Sequence, residues 1–73
     1  MTLYYYDISG DHPYRDDDGT EHAGDRAAWR DAVKLVRDVE DHLRPNGKWV
    51  LTVRSGDRIV FVIDVTATSN LIG

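Results

Sequence analysis

Two alternating arms, 48–54 and 59–66, joined by Ser55-Gly56-Asp57, restrict the fold of this chain more than any other feature. In the first arm Trp49, Leu51 and Val53 fall on one side, with Val50, Thr52 and Arg54 on the other. In the second, Ile59, Phe61, Ile63 and Val65 alternate with Val60, Val62, Asp64 and Thr66. Successive strand side chains point to opposite faces. Period two on both sides of a glycine turn therefore predicts an antiparallel hairpin with one strongly apolar face. That face needs a cover.

The cover lies upstream. Placed at about 100° per residue, Ala28, Ala32, Leu35, Val36, Val39 and Leu43 form one stripe, with Trp29 and Val33 on its flank. The spacing predicts a helix that opens at Gly24 or Asp25, either of which can cap it, and runs to Leu43 or Arg44. Pro45 disfavours helical geometry at Arg44, and Asn46-Gly47 turns the chain. Ahead of the helix, the aromatic-rich run Leu3–Ile8 reads as a strand. Tyr14-Arg15-Asp16 and Thr20-Glu21-His22 flank Asp17-Asp18-Gly19, a hairpin signal whose arms are either short strands or an extended loop. The expected architecture is α+β: one helix on a small antiparallel sheet, order β-β-α-β-β. The domain covers 1–67, and 68–73 form a frayed tail.

Seventy-three residues bury only about 60% of their unfolded surface, so a domain of this size has a thin core. With no cysteine, disulfides cannot compensate, and the reading is of a cytoplasmic protein. A structural zinc would have to rely on three histidines and carboxylates. Neither a signal peptide nor an apolar run long enough to span a bilayer is present in the sequence, so no membrane partner is expected. Self-association is the compensation that remains. A single helix covers one sheet face, leaving the other for a partner. Tyr4, Tyr6, Val50, Val60 and Val62 are the candidate interface of a homodimer.

The residues that carry chemistry elsewhere make a weak case here. Asp11, Asp16, Asp17, Asp18 and Glu21 cluster as hard-cation ligands do. On a calcium-loop pattern, however, Tyr14 takes the first ligand position and Glu21 an apolar one. A solvated turn explains them as well. His12 and His22 lack the helical spacing of metal-binding pairs, and His42 suits a helix C-terminus. Ser9, Ser55 and Ser69 lie outside any nucleophile-elbow context, and the six glycines form no phosphate loop. The expectation is a protein that is not an enzyme, with no cofactor and no metal; a metal-dependent enzyme is a remote alternative. Arg26, Arg30, Lys34 and Arg37 line up within about 80° opposite the apolar stripe. This ridge is a candidate contact for nucleic acid or an acidic partner, or else a solvated face with pairs such as Lys34 to Asp38 and Arg37 to Asp41. A net charge of −4 favours the solvated face.

Tyr4-Tyr5-Tyr6-Asp7-Ile8, then Arg15-Asp16-x-x-Gly19-x-Glu21, then Ala27-Ala28 opening a helix, resembles a family of short bacterial proteins frequent in rhizobia. Its members carry a domain of unknown function, and the likeness covers nearly the whole chain. The resemblance implies the same order of elements and no particular activity. Gly24 departs from the helix-capping aspartate usual in the family, which leaves capping to Asp25. The leading expectation is a protein-interaction or regulatory module, with a nucleic-acid-associated module second.

Overall fold

The computed structural model describes residues 1–11 and 13–68. Its elements are β1 (Thr2–Gly10), β2 (Thr20–His22), α1 (Asp25–Asp41), β3 (Lys48–Ser55) and β4 (Arg58–Thr66). The strands form one antiparallel sheet in the order β2-β1-β3-β4, with α1 against one face. The fold is α+β, as the alternation and the helical stripe require. The expectation of a frayed tail falls, beyond Thr68, outside the described residues.

The core is built where the stripe meets the alternating arms. Tyr4, Tyr6, Ala28, Ala32, Leu51 and Val53 are buried, and Ile8, Leu35, Val36, Phe61 and Ile63 pack around them. Alanines at the closest approach let α1 lie low over the tyrosine rings, and the Tyr6 hydroxyl donates to the Ala28 carbonyl oxygen at 3.2 Å. Gly24 precedes the first helical turn in an extended conformation, without a side-chain cap. Asp25 does not cap either. Its carboxylate accepts from the Tyr4 hydroxyl at 2.6 Å and from both terminal nitrogens of Arg58, fastening the helix start to β1 and β4. The helix stops at Asp41, short of the expected Leu43. His42 ends it, with its Nδ1 2.9 Å from the Asp38 carbonyl oxygen.

The segment after β1 differs from the simplest hairpin. Its two arms pair with β1 rather than with each other. Tyr14 bridges Ile8, and Thr20, Glu21 and His22 face Tyr4, Leu3 and Thr2. Between them the Asp16 carboxylate takes the place of a strand, accepting from the Tyr6 amide at 3.2 Å and from the Asp18 and Gly19 amides at 3.1 and 3.0 Å. Gly19 adopts a φ of 75°, which glycine tolerates, and a side chain there would press on Leu3 and the Tyr4 carbonyl.

Candidate interaction surfaces

The face of the sheet away from α1 is more polar than the alternation implies. Across it Tyr5 lies opposite Arg54, Asp7 opposite Thr52, and Val50 opposite Asp64. Arg54 donates through Nε to Asp7 at 2.8 Å and through Nη2 to the Asp16 carbonyl oxygen at 3.4 Å, while its guanidinium stacks 4.5 Å over Tyr5. Burial works against the charge on Asp7. The Arg54 hydrogen bond, the Asp16 amide and the nearby arginine charges outweigh it and hold the carboxyl below its ordinary value.

Two members of the expected interface are therefore in the wrong place. Tyr4 and Tyr6 are 1% and 7% exposed, under the helix and not beside Val50 and Val62. Val60 also moves. A register shift after Val53 sets Ile59 opposite Arg54, so Ile59 swings out to 64% exposure and Val60 packs toward the core. Only Val50, half-buried, and Val62, 53% exposed, stay on the open face.

What the structure does present is an edge. Both sides of β1 are occupied, one by β3 and the other by β2, Asp16 and Tyr14. β4 pairs only with β3, so among the described residues the other side of a nine-residue strand carries no partner. Its sequence, Arg-Ile-Val-Phe-Val-Ile-Asp-Val-Thr, has a single carboxylate and no proline. Trp29, 47% exposed, leans over this edge from α1 with its ring 5.1 Å from that of Phe61.

The contact between Trp29 and Phe61 also orients the helix charges. At about 100° per residue, Val33, Arg26 and Arg37 follow Trp29 around the flank above β4, and Arg30 points to solvent. On the opposite flank Asp31 comes within 3.5 Å of His22, and Asp38 borders a cleft of about 390 Å³ shared with Tyr6, Tyr14 and Lys34. Arg26, Arg30, Lys34 and Arg37 form no ion pair with any described carboxylate, so the expected pairs with Asp38 and Asp41 are absent.

That cleft has the ingredients of an acid–base relay, but they are used as a clamp. Tyr6 Oη lies 2.9 Å from His22 Nε2. The same Nε2 lies 3.5 Å from the Asp31 carboxylate, so the ring is held between a phenol and an acid. Burial first, then Asp31, pushes the Tyr6 phenol well above its ordinary value, which leaves it protonated and a poor base at neutral pH. Two further candidates are likewise occupied. Ser55 donates to the Leu3 carbonyl oxygen, and Asp11 accepts from the Lys48 amide. No group of three or more metal-ligating side chains occurs among the described residues. The expected partner of His22, His12, and the serine at position 69 lie outside those residues. No described helix is long and apolar enough to cross a membrane.

The Arg15-Asp16-x-x-Gly19-x-Glu21 motif thus reads as architecture, with Asp16 and Gly19 shaping the turn beside β1. No curated protein and no solved structure matches the chain. One family model does, over residues 3–66, which spans the sheet and helix just described. The chain belongs to the family defined by that domain of unknown function, DUF6894.

Proposed function

We propose that this protein is a non-catalytic interaction module that works as a homodimer, joined through β4. The observation that carries the reading is the long, apolar edge of β4, unpaired among the described residues, with Trp29 above it and with Ile59 and Val62 exposed on the open-face side of the strand. Exposed flat edges are ready-made templates for another strand, and monomeric proteins blunt them with charges, proline, bulges or short length. The register shift of β4 lies at Ile59 and Val60, and the run 61–63 beyond it has none of these devices. Two copies related by a two-fold axis pair β4 antiparallel with β4, making one sheet of two protomers with both helices on the same side. The centre of the open face, pinned by Asp7 and Arg54, stays in solvent, with Ile59 and Val62 at its β4 border beside the two-fold axis.

The non-catalytic half of the proposal rests on what the polar groups are doing. Tyr6, Asp16 and Ser55 are engaged in holding main chain, His22 is held between the Tyr6 hydroxyl and Asp31, and among the described residues no hydroxyl nucleophile is paired with a free base. Light scattering over a dilution series tests the dimer. The expected mass is twice 8.3 kDa, falling to a monomer when Ile59 and Val62 are both changed to lysine. A wild-type monomer at every concentration, or a double variant that still dimerises, contradicts it.

A further inference from the structure

We propose that the outer face of α1 takes an acidic, leucine-bearing segment of another protein. The inference rests on reading the chain as an interaction module but not on the pairing of β4: Arg30, Lys34 and Arg37 lie off the β4 edge, and Trp29 alone borders both surfaces. Its basis is a juxtaposition of unpaired cations and apolar surface. Trp29, Arg30, Val33, Lys34 and Arg37 line a shallow concavity of about 400 Å³, with Trp29 and Val33 as its apolar part.

Carboxylates stand in sequence where helical pairing would neutralise this ridge, yet Lys34 and Arg37 make no pair with Asp38 or Asp41, and Arg26 and Arg30 make none with any described carboxylate. Four cations without an ion pair to a described carboxylate, on a chain of net charge −4, are a local concentration of one sign against the field of the whole molecule. An anionic partner is the complement.

The dimensions and neighbours decide which anion. From Arg26 to Arg37 the ridge runs about 16 Å, the length of about five extended residues. Asp31 and Asp38 bound it on the side toward β2, so a long phosphate backbone would meet negative charge as soon as it left the ridge. A short acidic segment would not. The Trp29 and Val33 floor calls for an apolar side chain among the carboxylates, which a sugar–phosphate chain does not offer. The chain's own acidic turn is a poor occupant. Both Asp16 oxygens already accept main-chain amides, and Asp17, Asp18 and Gly19 bring no apolar side chain.

Fluorescence anisotropy with a labelled peptide of alternating glutamate and leucine tests this, beside its glutamine-and-leucine counterpart and an oligothymidylate of equal charge. The glutamate peptide is expected to bind at least tenfold more tightly than either. Arg30→Glu with Arg37→Glu should weaken it at least tenfold, while the mass by light scattering stays that of the wild type. Val33→Asp, which keeps the cations, should weaken it as well. Equal binding of the glutamine peptide, unchanged binding by the double variant, or tighter binding of the oligothymidylate overturns the proposal, the last in favour of nucleic acid. None of these outcomes bears on the β4 dimer, whose failure would show as a monomeric mass.

Discussion

Asp16 does the work of several residues. One carboxylate completes the edge of β1 at Tyr6 and closes the turn at Asp18 and Gly19, while its amide reaches Asp7. Asp16→Ala leaves three amides short of an acceptor, and a loss of about 2–3 kcal/mol is expected from the urea midpoint. Asp16→Asn keeps one oxygen for the turn but turns an NH2 on Tyr6 or the turn amides, so it should recover only part. Equal stability of Asp16→Ala and wild type would remove Asp16 from this role. Titration adds a second expectation. Asp25 is held below its ordinary value by Arg58 and then Tyr4, and Asp7 by Arg54 against its own burial. Their contribution is present above about pH 4 and lost as pH falls through the folded values. Tyr4 is raised by its bond to Asp25 and Tyr6 by burial, so their contribution holds below about pH 10 and is lost as pH rises through the folded values. Urea midpoints across pH should fall at both ends, and Tyr6→Phe should flatten the alkaline fall. An unchanged alkaline slope in Tyr6→Phe would contradict the assignment. None of this clamp was legible in sequence, because an aspartate cluster looks the same whether its oxygens face water, a cation or main-chain amides.

At the scale of elements, periodicity was a good guide until a register shift intervened. The helix stripe and the faces of Trp49, Leu51, Val53, Phe61, Ile63 and Val65 follow directly from spacing. Ile59 and Val60 exchange roles because strict alternation has no way to mark an extra residue in one strand. The tyrosine run is similar: its alternation places Tyr4 and Tyr6 together, but only the pairing with β3 decides that they go under the helix and Tyr5 goes under Arg54. The shift makes a prediction. Compared at a dilution where both are monomeric, Val60→Lys should cost about 1.5–3 kcal/mol of stability and Val62→Lys within about 0.5. Equal costs, read from urea midpoints, would mean that β4 keeps simple alternation and that the shift is absent.

For the whole molecule, a core of six buried residues is small support for a four-stranded sheet. The sequence shows that shortage, through length and missing cysteines, and so points to association. It does not show where. The open face looked apolar from its valines, yet the Asp7–Arg54 pair crosses it, and the surface that wants a partner is the β4 edge with Trp29 beside it. Strand order decides that β2 and the longer β4 lie at the edges, and strand order is a long-range property that no local pattern carries. α1 then borders two contacts, self-pairing along β4 and an acidic segment on the outer helix face, with Trp29 between them.

The pairing of β4 with its copy is the central claim, and isotope-filtered NOE spectroscopy on a mixture of labelled and unlabelled protein tests it most directly. The account predicts intermolecular contacts between α-protons within Arg58–Thr66 and between the Trp29 ring and the partner's strand. A dimer whose intermolecular contacts come instead from Val50, Tyr5 and Arg54, or a protein with no intermolecular contacts at all, would contradict it.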